Sequence, residues 1–248
     1  MPRRSASGPA PLIWTQPPPP PRQRSLGRDE IVAAAIGLVD EAGPAALTMK
    51  AVADRLGSYS PMALYRYVYS KEGLIDLMLD TVTTEIPVPA QPSGDWREDL
   101  HALATSTRQM ITAHPWYALL IHTRAPAGPR MMRRIEFMLS VLIDEGAILS
   151  AAMTYAALID RHIFGSGLQE AEEERAGQRH GLEHHAAFLA AVAPVHALAA
   201  ADGQFPNLTN WLAHPTGPSP DEQFDLGLTF LLDGIATQLQ APTSGSAA

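Results

Sequence analysis

The 248 residues include no cysteine, and that absence removes disulfides, thiolate zinc sites, iron–sulfur clusters and thiol nucleophiles together. Any metal would have to rest on His, Asp or Glu. No apolar run approaches the roughly 18–20 residues that span a bilayer, and the basic start Met1–Arg4 leads into Pro and Ser rather than an apolar signal core. A cytoplasmic chain with no membrane partner is the reading. Glycine loops that cradle phosphate, nucleophile elbows, repeated carboxylate pairs and internal repeats are also missing, so no catalytic residue and no cofactor are expected. Nor does any stretch alternate in the way a strand does, which makes the fold class all-α. What remains is 46% hydrophobic and 18% charged, enough for a folded core.

The overall charge of −8 conceals an asymmetry. Residues 1–80 carry nine Lys and Arg against eight Asp and Glu, a balance of +1, which leaves −9 on residues 81–248. A polyanion would be repelled by the larger part. A chain with this layout that binds nucleic acid does so through its N-terminal end.

Pro9 to Pro21 read PAPLIWTQPPPPP, and proline at that density withholds the amide donors that a helix or central strand needs. An extended, mobile arm is expected there, made locally basic by Arg3, Arg4, Arg22 and Arg24. It reads first as a disordered tail and second as an arm that touches DNA.

After Gly27 the spacing turns helical, with Ile31, Ala34, Ala35 and Leu38 on one stripe of a first helix that stops at Gly43-Pro44. Thr48 caps a short second helix (Met49, Val52, Ala53, Leu56) that ends at Gly57. Ser60 and Pro61 open a third, to about Tyr67, and Ser70 caps a fourth containing Leu74, Leu77, Met78 and Val82 that ends before Pro87. Farther on, Asp95 caps Trp96–Ala113, His114-Pro115 breaks the pattern, a short helix follows, and Pro126–Pro129 is a loop before a helix from about Arg130 to Asp144. Long helices are expected over Ser150–Gln169 and Pro220–Gln240, the latter with Phe224, Leu228, Leu231, Ile235 and Leu239 on one face. Between them, Glu170–Glu174 reads as a polar connection, Gly181–Val192 as a helix and Pro206–Ser219 as turns.

Thr48–Leu56 and Pro61–Tyr67 have the dimensions of a helix-turn-helix, whose second helix enters a major groove. Met62 and Ala63 can meet thymine methyls, Arg66 can reach guanine or phosphate, and Tyr65, Tyr67 and Tyr69 can offer hydroxyls to phosphates, while Leu64 faces inward. Lys71 stands where a phosphate contact is usual, and the amides of Met49 and Lys50 behind the Thr48 cap offer a helix N-terminus to another phosphate. An ordinary helical hairpin with surface tyrosines fits the same spacing, because helix-turn-helix geometry has no sharp residue code.

Leu47-Thr-Met-Lys-Ala-Val-Ala-Asp-Arg-Leu-Gly57, Ser60-Pro-Met-Ala-Leu-Tyr-Arg-Tyr-Val68 and Ser70-Lys-Glu-Gly-Leu-Ile75, within Arg28–Asp80, resemble the DNA-binding head of the tetracycline-repressor (TetR) family. Two departures stand out: Gly27 where a Ser or Thr cap is commoner, and a Gly57–Pro61 turn one residue longer than in many members, which with Tyr59 shifts the side chains that reach bases. The resemblance implies an N-terminal helix-turn-helix head plus a larger C-terminal helical domain for ligand binding and dimerisation. The expected layout is an arm over 1–27, a DNA-binding domain over 28–86, an effector-binding and dimerisation domain over 95–240, and a disordered tail over 241–248. It also implies a homodimeric, ligand-responsive transcription regulator, read as a repressor, whose heads enter successive major grooves of a palindromic double-stranded operator and are released by a small-molecule effector. The dimer would form through the Ser150–Gln169 and Pro220–Gln240 helices, whose small residues Ala151, Ala152, Ala156, Ala157, Gly227 and Gly234 permit close approach.

For the effector, Leu103, Met110, Trp116, Ile121, Met138 and Phe164 are the expected apolar lining, each equally suited to plain core. Ala118–Pro126 is similar to the pocket region of the tetracycline repressor, which implies that His122 stands for its metal-ligating histidine, that Thr123 and Arg124 lie in the adjoining loop, and that Glu170 approximates its acidic metal partner. Pro87 stands where that family's drug-contacting histidine falls, which argues against tetracycline. A reading of another class, a His/carboxylate metal-dependent hydrolase, draws on His180 and His184 at i and i+4 with His185 and Glu183 beside them. Their order is not HExxH, and no third ligand is placed. A constitutive architectural DNA binder would show no ligand sensitivity.

Overall fold

The computed structural model describes residues 12–17, 26–57, 59–123, 127–180, 185–213 and 217–240, without the side chains of 174, 176, 178–180 and 185–192. In chain order these form α1 (Arg28–Ala42), α2 (Met49–Arg55), α3 (Pro61–Val68), α4 (Lys71–Val82), α5 (Trp96–Ala113), α6 (Trp116–Ile121), α7 (Pro129–Asp144), α8 (Leu149–His180), α9 (His185–Asp202), α10 (Pro206–Ala213) and α11 (Pro220–Gln240). Short 3₁₀ turns lie at Ile13–Thr15, Pro44–Ala46 and Thr83–Glu85. No strand occurs among the described residues, as the spacing predicts. Residues 1–156 and 157–248 make two compact units.

In the first unit, α1 packs on α2 and α4, and α3 closes the group, giving a three-layer head. Its core holds Ile31, Val32, Ala35 and Val39 of α1, Val52 and Ala53 of α2, Leu64 and Val68 of α3, and Leu74 and Met78 of α4. The buried stripe of α1 is rotated from the expected one: Ile31 and Ala35 are on it, but Val32 and Val39 take the places given to Ala34 and Leu38, which are half-buried. Glu30 accepts from the Gly27 amide, so a reach-back carboxylate does part of the work a Ser or Thr cap would do. The far end of α4 packs against α6 and α7, and α5 packs on both of those. A polar chain crosses this second core: fully buried Arg134 of α7 donates its Nε–H to Thr107 Oγ1 at 3.1 Å, and Thr107 donates to the Leu103 carbonyl at 2.7 Å.

Three expectations are corrected. Residues 12–17 are not an extended strand of arm: Ile13–Thr15 is a 3₁₀ turn whose Ile13 is buried. Its seat is on α4, where a Cβ on Gly73 would lie 2.3 Å from the Val68 carbonyl oxygen and 3.1 Å from Ile13 Cδ1. Glu170–Glu174 is not a connection but the continuation of α8, held by a Gln169–Glu173 hydrogen bond and a Glu172–Arg175 pair one turn apart. Pro206–Ser219 opens with α10, whose Thr209 amide donates to the Phe205 carbonyl. The helix expected over Gly181–Val192 is seen as α9, which runs on through Pro194 to Asp202; Gly181–His184 lie outside the described residues, as do residues 1–11, 18–25 and 241–248.

In the second unit, α8 and α11 meet at His162. Its Nε2 lies 2.8 Å from the Phe224 carbonyl and its ring stacks on that phenyl at 4.9 Å. A Cβ on Gly227 would come within 2.5 Å of the imidazole, so only glycine fits there. Phe224, Leu228, Leu232 and Ile235 are buried, Leu231 and Leu239 half-buried. Leu226 and Phe230 of α11 are exposed, as is Leu158 of α8.

Candidate nucleic-acid interface

Local capping chemistry fixes the two helices that matter. Thr48 Oγ1 accepts from the Ala51 amide at 3.0 Å, Ser60 Oγ accepts from the Ala63 amide at 3.3 Å, and Ser70 Oγ accepts from the Gly73 amide at 2.9 Å. Gly57, at φ 103°, makes the left-handed turn after α2 that an L side chain would resist. Proline at the first position of α3 costs no helix bond. Arg28 Nε then donates to the Tyr67 carbonyl at 3.1 Å and closes the C-terminal end of α3 from α1. Across the α1–α2 face, Glu41 and Arg55 form a two-pronged pair that lowers the Glu41 pKa.

With Leu64 and Val68 inside, the outer face of α3 carries Met62, Tyr65 and Arg66. Met62 is 74% exposed, an apolar side chain left in water on an otherwise well-packed head. Ala63, Pro61 and Tyr59 are half-buried, whereas Thr48, Lys50, Ser60 and Lys71 are exposed. Two expected donors differ from expectation. Tyr67 is buried, because it lies on the Leu64–Val68 side of the helix. The Met49 side chain is buried, which leaves the expectation for this residue on its backbone amide alone. Tyr69, in the left-handed region at φ 63°, donates its hydroxyl to the Pro17 carbonyl at 2.7 Å.

Behind this face, three polar joints tie the head to α5–α7. Asp80 of α4 is buried and caps α7: its Oδ1 accepts from the Arg130 amide at 2.9 Å and lies 3.4 Å from the Met131 amide, while Oδ2 meets Arg130 Nη1 at 3.0 Å. Thr83 Oγ1 lies 3.3 Å from the Tyr117 hydroxyl of α6. Asp40 of α1 accepts from Trp116 Nε1 at 2.6 Å and also meets His114, whose other ring nitrogen faces Glu85. Sequence reasoning named Trp116 as apolar lining and His114 as part of a helix break, but none of these joints. The signal available was Asp76 and Asp80, at i and i+4 within the apolar run of α4 and both buried.

Of the expected effector lining, Leu103, Met110, Trp116, Ile121 and Met138 are buried in the first unit and Phe164 in the second. His122 and Pro87 are exposed, Glu170 of α8 is half-buried, and Arg124 lies outside the described residues. A cleft of about 20 Å³, room for about one water, lies among Trp14, Asp76, Thr83, Tyr117, Ile121 and Met131. It is far smaller than a drug-sized site. The side chains of His180, His184 and His185 lie outside those described, and no group of three or more His, Asp or Glu that could hold a metal occurs among the described residues.

The family pattern "Bacterial regulatory proteins, tetR family" matches residues 31–78, and "Tetracyclin repressor-like, C-terminal domain" matches residues 88–239. An HTH-type transcriptional regulator of Saccharopolyspora erythraea is 33% identical over 90% of this chain and 91% of its own. The HTH-type transcriptional repressor DrrR1 of Streptomyces coeruleorubidus is 32% identical over 90% of this chain and 83% of its own. Among solved structures, ActR of Streptomyces coelicolor in complex with actinorhodin superposes with a TM-score of 0.71 at 27% identity, covering 87% of this chain and 99% of ActR.

Proposed function

The chain belongs to the TetR family of bacterial transcription regulators, and from that premise we propose that it is a homodimeric repressor that binds a palindromic operator and leaves it when a small organic effector binds the C-terminal domain. The observation that carries the reading is the outer face of α3. Burying a methionine stabilises a fold by about 1.5–3 kcal/mol, so Met62 at 74% exposure gains the head nothing until a thymine methyl or base edge covers it. Arg66 beside it serves bases, and Tyr65, Thr48, Lys50 and Lys71 serve the phosphates on either side. Tyr59, Ser60, Pro61 and Ala63 set the depth of the helix in the groove. Leu226 and Phe230 of α11 and Leu158 of α8, all exposed in the second unit, are apolar surface that a second copy would cover.

Selection of binding sites from random duplex DNA tests this, followed by fluorescence anisotropy across a salt series. A palindrome with steeply salt-dependent affinity is expected. Failure of the folded dimer to enrich any site would overturn the reading. Actinorhodin, which ActR binds, and tetracycline are the first effector probes to add to the complex. Tetracycline is expected to fail, since Pro87 offers no side-chain hydrogen bond where the family's drug-contacting histidine would stand. The hydrolase reading draws on His180, Glu183, His184 and His185, whose side chains lie outside those described, and no group among the described residues favours it.

A further inference from the structure

His114 sits in the corner between α5 and α6 with both ring nitrogens against carboxylates: Nδ1 is 2.7 Å from Asp40 Oδ1 and Nε2 is 3.1 Å from Glu85 Oε1. A neutral imidazole has one N–H and one lone pair, so one of these contacts would set lone pair against lone pair. Only the imidazolium donates to both. The three groups belong to three elements: Asp40 to the last turn of α1 in the head, Glu85 to the turn after α4, and His114 to the α5–α6 corner. Asp40 is held as well by Trp116 Nε1–H at 2.6 Å, a bond no proton can remove in the physiological range. The His114 side chain is 12% exposed, against 31% for Asp40 and 50% for Glu85.

Among the described residues, the charged groups that face the imidazole are Asp40 from α1 and Glu85 from the turn after α4. Trp116 of α6, edge-on at 5.7 Å, carries no charge, and neighbouring Glu41 is occupied by Arg55 of α2. Burial of the ring opposes its protonation, but the hydrogen bonds and charges of Asp40 and Glu85 outweigh burial and raise the His114 pKa.

We propose that His114, Asp40 and Glu85 form a proton-dependent latch that fastens the head to the α5–α6 corner, so that operator affinity varies with pH through the freedom of the head. The proposal rests on the operator-binding reading above. The latch is closed below the ordinary histidine pKa of about 6.5 and opens as pH rises through the higher value His114 has here. An open latch leaves the head held by the Asp80 and Thr83 joints and the Trp116–Asp40 bond. A freer head loses more entropy when it is seated in its groove, and two heads must be seated together. Affinity therefore falls with rising pH, and His114 acts as a positioning residue without touching DNA.

The test uses the full chain as wild type, His114→Gln and Glu85→Gln. Three quantities are read between about pH 5.5 and about pH 8.5 at fixed salt: the His114 imidazole titration by NMR, thermal unfolding, and anisotropy on the selected operator. Expected are a titration midpoint above the ordinary histidine value that drops in Glu85→Gln, and a loss of wild-type stability with rising pH that His114→Gln lacks. Operator affinity of the wild type should fall about fivefold further than that of His114→Gln over the same range, the lower end of common coupling strengths. Glu85→Gln, at a half-exposed site, keeps the comparison open should His114→Gln fold poorly. Superimposable pH profiles for wild type and variants would overturn the latch, and a stability step without an affinity step would overturn its link to DNA. Absence of any operator would instead sink the proposed function and the affinity half of this proposal, while the titration and the stability step would still decide the latch.

Discussion

Gly128→Ala should destabilise the protein, against the usual direction. Gly128 is the N-cap of α7 at φ −69°, a conformation alanine adopts freely, so on backbone grounds the substitution would stabilise by about 0.4–1 kcal/mol through the unfolded chain. The structure reverses that sign. A Cβ at this position would lie 2.1 Å from Asp80 Oδ1, 2.6 Å from its Cγ and 2.8 Å from its Cβ, closer than packed atoms approach, and the side chain it would displace is buried. Asp80 would have to withdraw from the Arg130 and Met131 amides, which leaves a buried carboxylate short of donors. Charge-assisted hydrogen bonds contribute about 1.5–3 kcal/mol, and the net expectation is a loss of about 2–3 kcal/mol. In a chain of this size about 1 kcal/mol moves Tm by about 2–4 °C, so Gly128→Ala should melt about 4–12 °C lower. Asp80→Ala should lose a similar amount, Asp80→Asn less because its amide oxygen still accepts, and Arg130→Ala least, since that side chain is 53% exposed. Calorimetry at one pH reads all four. A Gly128→Ala protein that melts at or above wild type would refute the close approach of α4 and α7.

Lys71→Ala should weaken operator binding on all sequences and flatten the salt slope by about one unit, whereas Arg66→Ala should relax preference at one operator position by about 1–3 kcal/mol. Equal effects on all sequences from both variants would remove Arg66 from base reading. Thr48→Ala should lower Tm by about 2–4 °C for a cap contribution of about 1 kcal/mol; no change would mean that water serves the Ala51 amide equally well. Gly57→Ala should cost about 1–2 kcal/mol at φ 103° and weaken DNA binding with it, as the turn sets the angle of α3. Ile13→Ala should destabilise by about 2 kcal/mol, measurable by urea unfolding, although it lies in a proline-rich stretch where a tail would register nothing.

What sequence could deliver here was local. Thr48, Ser60, Ser70 and Asp95 announce their helices because an N-cap needs only a side-chain oxygen and an amide two or three residues on, and each of the four is found capping. The buried position of Tyr67 was legible as well: Leu64, Tyr67 and Val68 stand at i, i+3 and i+4, and following that period past Leu64 puts the tyrosine inside. The acidic run after Gln169 misled because charge suggests solvent, whereas Glu, Ala, Arg and Gln are good helix formers and a solvated helix satisfies both demands. The joints were beyond reach for a different reason. Asp40 and Trp116 are 76 residues apart, Asp80 and Arg130 are 50, and His114 and Glu85 are 29, and no local period links positions that meet only through packing.

Those long-range joints bear on how an effector would act under the proposed function. A ligand shifts an equilibrium only by its differential affinity for the two arrangements, so an effector that leaves the Asp80, Thr83 and Asp40 contacts unaltered cannot move the head relative to α5–α7, however tightly it binds. Asp80 belongs to α4, and α4 follows α3 after only Tyr69 and Ser70, so any displacement of α7 relative to α4 is carried to the groove-facing helix through one corner. That corner is tight: Gly73 has no room for a Cβ, and Tyr69 is in the left-handed region. Slack in the corner would absorb the movement before it reached Met62, Tyr65 and Arg66. By linkage, whatever factor the effector takes from operator affinity, operator DNA must take from effector affinity. Tight joints therefore serve both directions of the coupling.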